Sequence, residues 1–456
     1  MRRISILAAA LLFPLAAAAA PLTAAQERAI DDSVNEWLAQ TGAPSVSIAV
    51  VNGGEIAYAK AYGSARLAPN VPATTSMRYA IDSNSKEFAA SAMLMLQQEG
   101  RLSLDDKVSK YFAWLASADQ VTIRQLLSHT AGYRDYWPQD FVPPEMSKPT
   151  TVDAVLKEWG TKPLDFKPGT DWQYSNTGYV IAGAIVQKVT GQPLLTFLQS
   201  NIFAPLHMTS VTQDDTSALP MSDPGAYTRY GNGPVRPAPK EGAGWLFAAG
   251  ELAMTPSDLA RWDISLMNRS LLKPASYDAL YTSVKLANGK DTNYSFGLDV
   301  DDENGRLSLG HGGAGSGFLS ENKVWPDDKV AVAAFTNNDW ADPGSVIDRV
   351  AYVVLKPLPA EARARAVFDG FQNGTVDRSL FTANGNAYLT PATLADQKQG
   401  LSAFGPARIF TLARESMRGG MQTRVWRIMA AKGNLIAIER GYPNGKLEQF
   451  MVMKAP

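Results

Sequence analysis

The sequence predicts an α/β protein of the α+β kind: an antiparallel sheet flanked by helices, a helical lobe, and a small C-terminal α+β domain. Three observations carry this reading. Strand-like runs occur at both ends of residues 26–356, while the stretch between them is mostly apolar segments with helical spacing, broken by Gly and Pro. After Pro357 and Pro359 the pattern changes, and residues 365–456 offer short helices followed by alternating strands. A helical middle enclosed by strands from both ends implies two lobes with a cleft between them.

Residues 1–20 read as a signal peptide, with Arg2 and Arg3, then ISILAAALLFPLAAAAA, then small residues suited to cleavage. Pro21 is a poor first residue after a cut, so cleavage is expected after Ala19 or Ala25. An exported, periplasmic or secreted protein is expected. No later apolar run approaches the roughly 18 residues that cross a bilayer, so no transmembrane anchor is expected once the signal is removed.

Residues 25–41 fit an amphipathic helix with Ile30, Val34 and Leu38 on one face. SVSIAVV (45–51) and EIAYAKAYG (55–63) read as strands joined at Asn52-Gly53-Gly54, a turn that tolerates positive φ. The next stretch, 79–100, starts a helix near Ser83. Its Phe88, Ala89, Ala92, Leu94, Met95 and Leu96 are apolar round most of the circumference, which puts it in the core, and Gly100 offers a C-cap. Short helices follow in 102–112 and 122–133, then a polar loop and another apolar helix over about 178–189. Residues 215–245 carry little periodicity and are expected to form an irregular segment shaping the cleft. Strand signals return at 295–301, 306–322 and 329–338, with a turn at Pro326-Asp327-Asp328, and a helix over 344–356 closes the domain. The C-terminal domain offers strands at 408–415, 423–430, 434–440 and 446–453, with turns at Gly433 and Pro443-Asn444-Gly445.

Composition removes several function classes. The formal net charge is −1 with both signs interspersed, and no polybasic run fits nucleic acid or an anionic membrane. There is no cysteine, which excludes thiol nucleophiles, disulfides and thiolate metal sites. The three histidines, His129, His207 and His311, form no close-spaced metal pair, so neither a metal nor another cofactor is expected.

The chemistry starts at Ser83 and Lys86. Three residues are close to one helical turn, so both side chains share a face. A serine needs a base beside it, and a buried lysine, with its pKa lowered, can be one. The same spacing recurs at Ser270 with Lys273, where Pro274 stops a helix, and at Ser320 with Lys323, in a loop-like segment before a strand. Only Ser83 opens a long buried helix.

Two further elements follow in order, Tyr174-Ser175-Asn176 and His311-Gly312-Gly313. Tyr230-Asn232 and Tyr442-Asn444 repeat the tyrosine spacing without a loop followed by a buried helix. With LLSHTAGYRDY (126–136), FKPGTDWQYSN (166–176) and AAGELAMTPSDLARW (248–262), these residues resemble the serine β-lactamase and penicillin-binding-protein superfamily. The class C-like branch, with DD-peptidases, D-aminopeptidases and family VIII esterases, is the most similar. The likeness covers residues 26 to about 355.

Physical reasoning makes Ser83 the nucleophile, with Lys86 or the Tyr174 phenolate as its base, and Asn176 a donor to the substrate's acyl side chain. The Ser83 N–H faces the reacting oxygen, and the resemblance implies that the Ala314 N–H completes the oxyanion hole. His311 and Gly312 depart from class C β-lactamases, which carry lysine and threonine there. A mostly neutral histidine is no permanent anchor for a carboxylate. Substrates lacking a carboxylate beside the scissile bond are therefore expected: small esters, D-amino-acid peptides or amides. A penicillin-binding DD-carboxypeptidase, a β-lactamase or a sensor that stays acylated is the alternative. The partner is thus a small molecule or short peptide. His129 is expected to be structural, His207 a helix-end residue, and the hairpin RESMRGGMQTRVW (414–426) a surface feature.

Overall fold

The computed structural model describes residues 21–139, 141–303 and 305–455; the expected signal peptide lies outside them. Seven strands form one antiparallel sheet: β1 (Ser45–Asn52), β2 (Glu55–Leu67), β3 (Asn70–Pro72), β4 (Asp299–Glu303), β5 (Arg306–Gly315), β6 (Phe318–Trp325) and β7 (Val330–Thr336). Their order is β3-β2-β1-β7-β6-β5-β4, so strands far apart in sequence meet at the centre, where Val46 pairs with Thr336 and Asn52 with Val330. The principal helices are α1 (Ala24–Thr41), α2 (Ser85–Gln98), α3 (Asn176–Thr190), α4 (Pro256–Asn268) and α5 (Gly344–Val354).

Strand β1 is buried without alternation from Ser45 to Val51 because both of its faces are covered. Val46, Ile48 and Val50 pack with Ile30, Val34 and Trp37 of α1 and Val346, Ile347 and Val350 of α5. Ala49 and Val51 point the other way, into the core that contains Trp262 of α4 and the whole helical lobe. Helix α2 runs through that lobe, with every residue from Ser85 to Leu94 buried.

The helix starts two residues later than its sequence implies. Ser83 occupies a 3-10 turn, Asp82–Asn84, entered through Asp82 at φ 44, and α2 follows directly because Asn84 and Ser85 are already right-handed. Residues three apart eclipse in a 3-10 turn, which preserves the shared side of Ser83 and Lys86.

Other boundaries move for local reasons. Segment 102–112 forms only the 3-10 turn Val108–Lys110, since the Asp106 side chain takes the Ser103 N–H at 2.9 Å in place of a helical bond. In 122–133 only Ile123–Leu127 is helical, and the backbone turns left-handed at His129. The strand expected from 295 begins at Asp299, because Ser295 N–H closes a turn onto Leu298 O at 2.8 Å. Gly297 in that turn lies so near α2 that a Cβ there would sit 2.7 Å from Lys86 O. The 306–322 run splits at Ser316-Gly317 into β5 and β6. Ser320, expected in a loop, is inside β6, with its Oγ lying 2.7 Å from Ile81 O and 2.6 Å from Asn84 Oδ1, two acceptors that share its one hydrogen.

Beyond α5, four antiparallel strands follow in chain order: β8 (Ala407–Arg418), β9 (Met421–Ala430), β10 (Gly433–Gly441) and β11 (Leu447–Lys454). With α6 (Pro359–Asn373) and α7 (Pro391–Ser402) they enclose a separate core that includes Phe368, Phe371, Phe410, Trp426 and Phe450. Arg408 of β8 joins this unit to α1 by two bonds to Glu36, at 2.9 and 2.6 Å. The 414–426 hairpin turns at Gly419-Gly420 with Met417 exposed.

Two outcomes follow. Among the described residues that line the main cleft none lies beyond Pro343, so a chain ended after Leu358 that remains folded should keep its ester kinetics unchanged, measured against the full chain. On β5, a Cβ at Gly313 would lie 2.1 Å from Ile81 O, whereas one at Gly312 would meet nothing nearer than 4.0 Å. Gly313→Ala should therefore cost about 1–3 kcal/mol in urea unfolding, and Gly312→Ala should leave the unfolding midpoint in place.

Candidate active site

The turn that carries Ser83 is held against β5 by Asn84, whose Nδ2 donates to His311 O at 2.7 Å and to Asn322 Oδ1 at 2.9 Å. One turn on, Lys86 is fully buried. Its Nζ lies 2.8 Å from Ser83 Oγ, 2.8 Å from Asn176 Oδ1 and 2.6 Å from Ala249 O. Burial pushes the ammonium down to about 7, against the opposing charges of Asp135 and Asp82. Two of the three contacts are carbonyl oxygens that can only accept. A neutral lysine gives its two N–H bonds to them, and its lone pair is left facing the Ser83 hydroxyl.

Asn176 opens α3, capped by the Ser175 side chain. Asp135 orients it, taking the Asn176 backbone N–H at 3.1 Å and its Nδ2 at 3.2 Å, which turns Oδ1 toward Lys86. One Nδ2 hydrogen remains for a substrate. Asp135 itself sits in the LLSHTAGYRDY segment, but nothing in the sequence singles it out.

Tyr174 places its ring 4.9 Å from Lys86 Nζ. Burial pushes its hydroxyl well above the ordinary tyrosine value despite a hydrogen bond to Ser83. Of the two candidate bases, Lys86 is thus the one that titrates near neutrality. His129 is buried beneath Tyr174 with ring centroids 4.3 Å apart, and its Nδ1 accepts the Ser175 N–H at 3.1 Å. It supports the tyrosine loop, in the structural place expected for it. His207 lies at a left-handed turn after the 199–203 helical segment, away from the cleft lining.

His311, Gly312, Gly313 and Ala314 form one wall. Strand β4 pairs only with residues 306–310 of β5, so the edge from His311 to Gly315 has no strand on its outer side and borders the cleft. The His311 Nδ1 contacts Gly312 O, and Nε2 lies 2.9 Å from the Tyr294 hydroxyl. A carbonyl only accepts, so Nδ1 carries the proton and Nε2 accepts from Tyr294. Burial, assisted by the Lys86 charge, pushes the ring down to about 3, so it is neutral at ordinary pH. Tyr294 is the partner that sequence reading missed, 17 residues away on a turn with no motif.

The cleft has a volume of about 1290 Å³. Ser83, Tyr174 and Asn176 line it together with the 311–314 wall, Trp137, Trp172 and, from the irregular 215–245 segment, Thr228, Arg229 and Tyr230. Ser270 and Lys273 stay outside the lining. Among the described residues no group of three or more His, Asp or Glu is arranged to hold a metal, and no helix is long and apolar enough to cross a membrane.

The sequence profile of the family described as Beta-lactamase matches residues 24–353. The chain is 31% identical over 247 residues to protein flp of Staphylococcus aureus (strain COL), covering 53% of this chain and 49% of flp, about half that relative's length. It is 28% identical over 310 residues to penicillin-binding protein 4* of Bacillus subtilis (strain 168), covering 64% of this chain and 68% of that protein. Among solved structures, D-amino acid amidase from Ochrobactrum anthropi SV3 superposes with a TM-score of 0.65 at 25% identity, covering 73% of this chain and 99% of the amidase. The profile match takes in the seven-stranded sheet, the helical lobe and the Ser83, Lys86, Tyr174 and His311 cluster, and the protein belongs to the beta-lactamase family.

Proposed function

We propose that the protein hydrolyses small esters and D-amino-acid-containing peptides or amides through an acyl-enzyme on Ser83. The contact of the buried Lys86 amine with the Ser83 hydroxyl, 2.8 Å long, carries this reading. Ser83 Oγ adds to the substrate carbonyl as its proton passes to Lys86 Nζ. The Ser83 and Ala314 N–H groups stabilise the resulting oxyanion. The intermediate collapses as the Tyr174 hydroxyl gives its proton to the leaving group and takes up the one held by Lys86, so that both groups return to their starting states. Water then releases the acyl group and restores Ser83.

The wall at His311 supports the substrate class. Its ring is neutral and both nitrogens are engaged, so it offers no ammonium to a carboxylate directly beside the scissile bond. The likeness to a D-amino acid amidase favours amides of D-amino acids over β-lactams on the same side of the question.

The test is an intact-mass time course with p-nitrophenyl acetate, D-phenylalanine amide and benzylpenicillin. A transient acetyl adduct on the native protein, absent in Ser83→Ala, is expected, with turnover of the amide. Activity in Ser83→Ala should fall by about 10³-fold or more; full activity there overturns the site. A lasting penicillin adduct with no turnover of ester or amide would replace this reading with a DD-carboxypeptidase or an acylation-only sensor.

The pH dependence has a definite sign. Below about 7 Lys86 is protonated and cannot accept the serine proton, so the acylation rate should rise with pH along a limb centred near 7. Stopped-flow ester bursts between pH 5 and 9 measure it, and a flat profile would remove Lys86 as the base.

A further inference from the structure

The charged residues lining the cleft are acidic with one exception. Asp82, Asp135, Asp299, Glu321, Asp339 and Asp342 line it, and Arg229 is the one cationic side chain among the described lining residues; Lys86 lies beneath the floor.

Arg229 is held in place by its surroundings. The preceding Tyr227 pairs with Asn338 in a parallel bridge and directs its N–H toward Gly317 O at 3.4 Å, while Thr228 pairs with Arg236. This backbone pairing ties the irregular segment to the β5–β6 turn and to the chain leaving β7. The guanidinium then lies over the Trp340 ring, 4.8 Å from its centroid. Its Nε is buried without a hydrogen-bond partner. The buried Nε faces no ligand, but Arg229 is half-buried and lines the cleft, and a planar guanidinium stacked on an indole suits a carboxylate.

The acids nearby leave it available. Asp339 and Asp342 are exposed to solvent, which screens them. Burial pushes the Glu321 carboxyl up to about 8, so it is mainly uncharged at neutral pH.

We infer that Arg229, stacked on Trp340, is a carboxylate-binding subsite at the rim of the cleft, which selects substrates carrying an acidic group at a distance from the bond that is cut. This inference rests on the ester and amide hydrolase reading for its catalytic consequence. It also separates two roles: the His311 wall does not bind a carboxylate next to the scissile bond, and Arg229 binds one further away.

Three simple esters test it: p-nitrophenyl acetate, without a carboxylate; p-nitrophenyl hemisuccinate, with one in the acyl part; and 4-acetoxybenzoate, with one in the leaving group. A charge-assisted pair contributes about 1.5–3 kcal/mol, so Arg229→Gln should lower kcat/KM for an anionic ester by roughly 10- to 100-fold, mainly through KM. The acetate should be unaffected. Which anionic ester suffers tells whether the acid belongs to the acyl or the leaving side. Equal losses on all three esters, or none, overturn the inference.

A binding measurement stands apart from catalysis. Calorimetric titration of the Ser83→Ala protein with succinate and with 4-hydroxybenzoate should show binding of at least one, abolished when Arg229→Gln is added. Absence of binding by both overturns the subsite even where the ester kinetics succeed. Binding without any acylation would keep the subsite and reject the hydrolase reading.

Discussion

The active site depends on a lysine buried without a carboxylate in contact. Taking an ammonium out of water costs several kcal/mol unless it is paired, and the usual solution is an adjacent acid. Here Asp135, whose charge attracts the lysine more than that of Asp82, engages both oxygens with Asn176, and Lys86 meets only neutral oxygens. Direct contact with Asp135 would hold the lysine charged and remove it as a base. Interposing one amide keeps the attraction weak enough for burial to win.

The rest of the fold maintains that burial. Helix α2 is enclosed on every side, and the Gly297 turn closes over its Lys86 backbone, where no side chain fits. The turn before α2 is fastened to β5 and β6 through Asn84, Ser320 and Asn322. Both lobes therefore position one hydroxyl, the helical lobe from below and the sheet from the side. The short β4 leaves the end of β5 open for a substrate, and glycines at 313 and 315 allow the nucleophile turn to approach the strand.

Legibility in the sequence followed the range of the interaction. Ser83 with Lys86, Tyr174 with Asn176, and His311 with its glycines were readable because each is a short spacing on one element. Strands β8 to β11 were readable for the same reason, as alternation between turn residues. Asp135, Tyr294 and Arg229 were not. Each acts through a partner 17 to 111 residues away, Tyr294 on His311, Asp135 on Asn176, Arg229 on Trp340, and nothing in its own neighbourhood distinguishes it from a surface residue. The misplaced boundaries at 102–112, 122–133 and 295 have a related cause: side-chain capture of the Ser103 N–H, a left-handed His129 and a turn packed on α2 each override local propensity.

By itself the sequence determined the strands at the two ends of the larger domain, the buried helix that carries the nucleophile and the residue types at the reacting centre, because these depend on periodicity and on contacts within a turn or two. Tertiary structure decided their chemical state. Whether a lysine is charged, a tyrosine protonated or a histidine able to donate is set by what surrounds it in space. Those surroundings come from the 127–136 loop, the 294–298 turn and the strand ends, which only the folded chain brings together.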